Sequence, residues 1–554
     1  MRLCPLVLAL LCAACAQPSN RFDLIVRGGE VVDGTGAPPR RADVAVIGDR
    51  IAAVGDLAAA DAGRVIDATG LIVAPGFIDV QGQSGTTLLA DGNAESHIRQ
   101  GITSEIIGEG GSPAFWTAAD AADSEALAPF GITVDWTGFS GYFDRLRRSG
   151  TTVNVGTFVP ATQVRRTAIG MDNRPPTADE LARMEAMVDQ AMRDGAFGLS
   201  SALIYVPGSF AKTEELVALA KVAARHNGIY ITHIRGESFN IFNALDEAIS
   251  IGRDAGLPVV IFHLKVAAKP LWGRMNEAVA RIEKANAAGT RVTATMYPYA
   301  AGGTGLSATL PLWVQEGGRE KMLERLNDPA TRARARKEIE TKIDGWENLL
   351  MGATFEGIQI ASVPRDFDQS IVGKRISQIA AERKSDPWEV YFQLLIASGG
   401  RIGALYHMMS EADVATGLRA PFVTIGTDSS ALRSEGILAR GAPHPRSYGT
   451  FPRVLGKYVR EEKVLSLPDA VHRMTGAAAA QMGLRDRGLL RERYFADLVV
   501  FNPATVKDTA TYEQPHQYPI GIEHVVVNGV PVVDPKGLTG ARPGRPLYGP
   551  ARQP

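Results

Sequence analysis

Cysteine is almost absent. The chain of 554 residues contains three, Cys4, Cys12 and Cys15, all at its extreme N-terminus. The body therefore offers no thiol for a disulfide, a nucleophile or a metal, which excludes thiolate zinc sites and papain-like chemistry. Net charge is nearly absent too, at -1, so no strongly basic surface argues for nucleic acid. The densest basic run, Arg332, Arg334, Arg336 and Lys337, is followed by Glu338 and Glu340 and reads as a solvated helix face. No apolar run reaches the roughly 20 residues that a transmembrane helix needs, and no repeat or low-complexity tract occurs.

The N-terminus carries Arg2, an apolar stretch from Leu6 to Cys12, and the small residues Ala14-Cys15-Ala16. This pattern reads as a signal peptide over residues 1–16. Cys15 after Ala13-Ala14 also resembles a lipoprotein box, with Cys12 where Leu is usual. The expectation is an exported protein, either periplasmic or lipid-anchored to a bacterial envelope.

From 22 to 70 the residues alternate in short runs joined by Gly and Asp turns, including Gly28-Gly29 and Gly48-Asp49. The same pattern returns at Leu498-Val499-Val500-Phe501 and His524-Val525-Val526-Val527. Both chain ends, 22–70 and 485–545, are predicted to build one small β-sandwich. Between them, residues 71–484 alternate apolar runs with helical stretches, the pattern of a parallel α/β fold. Eight strands starting near Gly76, Ile102, Val153, Phe197, Ile229, Val259, Val292 and Phe422 predict a (β/α)8 TIM-type barrel. Residues 301–420 exceed an ordinary connection and are predicted to hold an inserted helical segment over the barrel mouth.

Three of these runs end in residues suited to a hydrolytic metal. Ile229-Tyr230-Ile231-Thr232 leads to His233, Val259-Val260-Ile261-Phe262 to His263, and Val423-Thr424-Ile425-Gly426-Thr427 to Asp428. C-terminal strand ends face the mouth of such a barrel, where two imidazoles and a carboxylate suit a catalytic zinc. Read alone, the histidines could be satisfied core residues and Asp428 a helix N-cap before Ser429-Ser430.

Many segments resemble the N-acyl-D-amino-acid deacylase (D-aminoacylase) family of the amidohydrolase superfamily. They include His97-Ile98-Arg99-Gln100-Gly101-Ile102-Thr103, Gly195-Ala196-Phe197-Gly198-Leu199-Ser200 and Leu203-Ile204-Tyr205-Val206-Pro207-Gly208. Others are Thr232-His233-Ile234-Arg235, His263-Leu264-Lys265, Tyr297-Pro298-Tyr299 and His444-Pro445-Arg446. The resemblance implies His233 and His263 as ligands of the tight zinc site and Asp428 as the catalytic carboxylate. It places Lys265, one of Tyr297 and Tyr299, and Arg446 where the family holds the free carboxylate of a small-molecule substrate. An ammonium, a phenol and a guanidinium can converge on one carboxylate as charge-assisted donors. His444 would border the pocket.

Two departures from the family stand out. Its first-strand His-x-His is here Gln81-Gly82-Gln83, and amides are poor zinc ligands beside imidazole, so the second metal position is expected to be lost. Gln81 and Gln83 then remain as hydrogen-bonding residues of the pocket. The family's Gly-Asn-Cys-Gly is here Gly108-Glu109-Gly110-Gly111. Either Glu109 replaces the missing ligand, giving a His2Glu set with one zinc per chain, or it points elsewhere.

The reading is metal-dependent hydrolysis of N-acyl-D-amino acids or of small peptides with a D residue. One alternative is a cyclic-amide hydrolase of the hydantoinase or dihydropyrimidinase kind; those usually keep His-x-His and a carbamylated lysine. The other is a metal-free binding protein on the same fold, which the joint presence of His233, His263 and Asp428 opposes. The remaining histidines, His97 among them, are expected to need no functional explanation.

Overall fold

The computed structural model describes residues 21–117, 120, 127 and 130–552. The expected signal segment, residues 1–16 with Cys15, lies outside them. No helix among the described residues is long and apolar enough to cross a membrane.

Eight parallel strands follow one another in barrel order: Phe77–Asp79, Ile102–Ile107, Asn154–Thr157, Gly198–Ala202, Ile229–His233, Val259–Ile261, Val292–Met296 and Val423–Ile425. The third continues after Phe158 as Val159–Pro160, pairing with the second strand by its first half and with the fourth by its second. Strands one and eight meet beyond their ends, where Asp428 N–H donates to Gln81 C=O at 2.9 Å and Gln83 N–H to Ser429 C=O at 2.8 Å. Val- and Ile-rich runs suit these positions because a parallel sheet is covered on both faces.

Helices form the outer layer, and local sequence sets their ends. Thr177 and Glu180 form a reciprocal capping box at the start of Ala178–Asp194, which Gly195 terminates in the left-handed region. Gly252 lets Ile241–Ala255 press onto the sixth strand, since a Cβ there would sit 2.0 Å from Val259 Cγ2.

Beside the barrel lie two sheets. One has four strands from residues 22–67; the other has seven, drawn from the first part of the chain and from 498–538. Asn528 ties the second sheet to the barrel, donating through Nδ2 to Asn154 Oδ1 at 2.8 Å, while a buried Arg487–Asp497 ion pair closes around it. Residues 301–420 hold a three-stranded antiparallel sheet (Gly302–Gly305, Gly403–Tyr406, Ile358–Ser362) as well as helices. The sheet was not foreseen, because its three short strands are separated from one another by about 40 residues or more of mostly helical chain. The basic run sits on an exposed helix, Pro329–Thr341, with Arg334 and Arg336 paired to Glu338 and Glu340.

Phe77, at the base of the first barrel strand, is fully buried, stacked on Phe451 at 5.4 Å and 6.4 Å from Phe501 of the small domain. Emptying this junction in a Phe77→Ala variant is expected to cost about 3–5 kcal/mol, read as a lowered urea midpoint at unchanged slope.

Candidate active site

Glu109 stands on the turn after the second strand. Gly108 makes that turn with φ +98°, and a Cβ there would lie 2.8 Å from Thr157 Oγ1. The carboxylate faces the two histidines: Oε1 is 3.1 Å from His233 Nδ1 and 3.4 Å from His263 Nε2. Ligand atoms of the three residues all lie within 4.8 Å of one another, and all three residues are buried. The Glu109 side chain thus points toward the histidines.

The other carboxylate oxygen, Oε2, accepts from Gln81 Nε2 at 3.0 Å and Gln83 Nε2 at 2.8 Å. The orientation of Gln81 follows from its neighbour. Thr295 Oγ1 accepts the His263 N–H, so its own proton goes to Gln81 Oε1 at 2.6 Å. That leaves the Gln81 amide nitrogen to donate to Glu109. Gln83 also reaches Asp428 Oδ1 at 3.4 Å, bridging the two acids.

His263 and Asp428 both adopt left-handed backbone, with φ +37° and +49°. Non-glycine residues there carry strain of about 1 kcal/mol or more and mark places where neighbours over-determine the backbone. No helix follows Asp428 directly, so it is not an N-cap.

Behind the histidines lies Glu237, four residues after His233. Its Oε1 is 2.8 Å from His263 Nδ1 and accepts from Lys265 Nζ at 2.5 Å; its Oε2 is 3.6 Å from His233 Nε2. Burial opposes ionisation of Glu237, yet the charges of Lys265, His233 and His263 hold its carboxyl well below the usual range. Glu109 is likewise held well below its ordinary value, burial being outweighed by His263 and His233. His263 is pushed up to about 9, because Glu237, Asp428 and Glu109 outweigh its burial and the nearby Lys265. Three acids around two imidazoles form a place that draws positive charge, and the N,N,O donor set fits a catalytic zinc with an open position.

A cavity of about 350 Å³ opens over this cluster, lined by Glu109, Lys265, Tyr297, Asp428, Arg446 and Tyr205, among others. The Arg446 guanidinium lies 2.9 Å from Asp428 Oδ2 and 4.5 Å from the Tyr297 ring centre. The buried Tyr297 hydroxyl has no hydrogen-bond partner among the described residues, and burial raises its pKa. It is a protonated donor available to a ligand.

Not every expected residue reaches the cavity. Tyr299 turns away, its hydroxyl 3.4 Å from Asp508 Oδ2 beneath Arg453, so Tyr297 is the member of the pair that faces the cavity. His444 is spent on structure: Nε2 meets the Ala301 carbonyl at 2.9 Å, and Nδ1 accepts the Arg446 N–H. Gln81 lies under the site, whereas Gln83 lines it. Lys265 lines it too, but its ammonium already donates to Glu237.

Sequence reasoning missed Glu237, Thr295 and Glu347. Glu347, from the insertion, accepts the Glu237 N–H at 2.9 Å through Oε2. Only the position of Glu237 in the turn after a candidate ligand strand hinted at its role.

A model of the amidohydrolase family matches residues 64–533. The D-aminoacylase of Alcaligenes xylosoxydans xylosoxydans is 37% identical over 96% of this chain and 98% of its own length. The chain belongs to the D-aminoacylase branch of the amidohydrolase family. Among solved structures, the N-acyl-D-glutamate deacylase of Bordetella bronchiseptica, complexed with zinc and a phosphonate mimic of the tetrahedral intermediate, is 33% identical over 95% of this chain and all of its own, with TM-score 0.80. A D-aminoacylase structure described by one-metal activation and second-metal attenuation of its binuclear centre has 36% identity over the same 95% and all of its own chain, with TM-score 0.77. A dihydropyrimidinase from Brevibacillus agri, at 16% identity and TM-score 0.54, shares the fold alone.

In this amidohydrolase Glu347 latches the insertion to the metal-facing turn. Burial pushes its carboxyl up to about 7. The folded state therefore binds more protons than the unfolded chain, and this group's contribution to stability falls as pH rises from about 4.5 through 7. Glu347→Gln is expected to remove a pH-dependent loss of the order of 2 kcal/mol, seen as a flatter plot of urea midpoint against pH between 5 and 8.

Proposed function

We propose that this chain hydrolyses the amide bond of N-acyl-D-amino acids or small D-residue peptides, with one catalytic zinc held by Glu109, His233 and His263. The observation carrying this reading is the convergence of Glu109 Oε1 on His233 Nδ1 and His263 Nε2, with Asp428 linked to Glu109 through Gln83. When bound, the zinc supplies Lewis acidity to the scissile carbonyl and to the attacking water. The D configuration comes from the relatives, which are named as deacylases of D-amino acids.

The chain's own residues account for the remaining steps. Asp428 takes the proton of the attacking water and returns it to the leaving nitrogen, so one carboxylate serves as base and then acid. Arg446 pairs with Asp428 in the ligand-free chain. A substrate carboxylate arriving beside the guanidinium and the Tyr297 hydroxyl shares that charge and leaves Asp428 able to accept a proton. Lys265 adds positive charge from the cavity wall while its pairing with Glu237 keeps His263 oriented, as second-layer carboxylates do for metal-binding histidines.

Gln81 and Gln83 set this amidohydrolase apart. Their N–H groups point at Glu109 Oε2, where a second metal would need a lone pair. The site is thereby restricted to one metal.

Two outcomes check the proposal. Asp428→Asn is expected to lower kcat on N-acetyl-D-amino acids by about 10²–10⁴-fold while its zinc affinity stays within severalfold of wild type; an active variant would refute the assignment. Excess zinc is expected to leave the wild-type rate unchanged, whereas the Gln81→His, Gln83→His double variant should be slowed by it, read from initial rates against zinc concentration.

A further inference from the structure

A second cluster of buried ionisable groups lies behind the segment that carries the two glutamines. Asp79 ends the first strand, Glu105 sits within the second, and His97 belongs to the short helix Glu95–Ile98. All three are fully buried, and their ligand atoms lie within 4.8 Å of one another. No residue of the hydrolytic site supplies any of the three.

Charge makes this cluster unusual. Asp79 accepts from the Gln81 and Thr427 N–H groups at 3.0 Å each, and from the Thr427 hydroxyl. Glu105 Oε2 accepts from Ser84 Oγ at 2.7 Å, but Oε1 has no hydrogen-bond partner among the described residues. Neither ring nitrogen of His97 makes a hydrogen bond, although Nδ1 stands 3.3 Å from Glu105 Oε2. Two carboxylates and a neutral imidazole would bury two negative charges with hydrogen-bond donors but no counter-charge, at a cost of several kcal/mol. Burial already pushes Asp79 up to about 6 despite its donors. Glu105 Oε1 and both His97 ring nitrogens are left without a hydrogen-bond partner among the described residues, and buried ligand atoms left unpaired this close together suit a cation.

We propose that Asp79, His97 and Glu105 form a second site for a divalent transition metal, structural in role and separate from the hydrolytic zinc. One nitrogen and two carboxylate oxygens match zinc or manganese better than calcium or magnesium, which favour all-oxygen sets. Bonds of about 2.0–2.2 Å place ligand atoms of one ion roughly 3–4 Å apart, so the three side chains close slightly around it. Gly82 supplies the room. A Cβ at that position would sit 2.5 Å from Glu105 Oε2, so a side chain there would displace the Glu105 carboxylate.

The site lies between strands one and two, where Asp79 and Glu105 are paired neighbours, and it borders the loop after strand eight. Asp79 receives the N–H groups of Gln81 and Thr427, the immediate neighbourhoods of the glutamine pair and of Asp428. An ion there fixes the first strand, the second strand and the loop after the eighth relative to one another. It is a positioning element for the hydrolytic site and touches no substrate.

The test counts metal. Metal-free full-length mature chain is loaded with zinc, and in parallel with manganese, freed of excess by gel filtration, and analysed for metal by mass spectrometry. Wild type is expected to retain two equivalents of zinc, Glu109→Ala one, and Glu105→Gln or His97→Gln one. Because a variant at the buried cluster can fail to fold, the Glu109→Ala protein provides an independent readout. Its remaining zinc should give an X-ray absorption spectrum of one imidazole and otherwise oxygen ligands. Wild type that retains one equivalent and Glu109→Ala that retains none, with both metals, would overturn the proposal and leave protons holding the cluster together.

Discussion

The carboxylate of Glu109 is the interaction on which the barrel mouth depends. One oxygen faces His233 and His263; the other takes both glutamine amides. Removing it would leave the Gln81 amide without an acceptor and Gln83 with only its long bond to Asp428. Unsatisfied buried donors cost about 1–3 kcal/mol each, so Glu109 and the glutamines form a unit. A His-x-His pair that holds a second metal turns nitrogen lone pairs toward that metal, whereas the glutamine amides turn N–H groups toward Glu109 Oε2. The exchange of both family features, histidine for glutamine and cysteine for glutamate, is therefore one change in chemistry.

Geometry around that unit is held by rigid elements and by strain accepted at their ends. The fifth and sixth strands deliver the histidines, and Thr295 of the seventh holds the His263 backbone and the Gln81 side chain through a single hydroxyl. Left-handed backbone at His263 and Asp428 turns the chain at the last strand positions, so that each side chain faces the cavity. The inserted segment takes part as well, since Glu347 caps the turn that presents Glu237.

Much of this was legible in the sequence. Eight Val- and Ile-rich runs at helical intervals give the strands, because buried parallel strands are apolar on both faces. Histidine and aspartate ending such runs give the ligand positions, because strand ends open into the mouth. Glu109 was legible as a carboxylate flanked by glycines where a ligand was missing, though its direction was not. Choices made by packing were not legible. Tyr297 and Tyr299 share a motif and differ only in which way each ring turns. Lys265 looked like a substrate cation, whereas its ammonium rests on Glu237, a residue whose part is set by a turn and a distant insertion. His97 looked like a histidine in a helical context that needed no functional explanation. The signal overlooked was Glu105, one acid in the middle of an otherwise uncharged strand, where burial demands a partner.

The most direct test of the account is the zinc concentration that restores hydrolysis of an N-acetyl-D-amino acid to metal-free protein, compared between wild type and Glu109→Gln. Glu109→Gln preserves side-chain volume and removes the anionic ligand. The account predicts at least a tenfold rise in the zinc required, about 1.4 kcal/mol or more of lost binding. Equal zinc requirements in the two proteins would show that Glu109 does not hold the metal and would contradict the account.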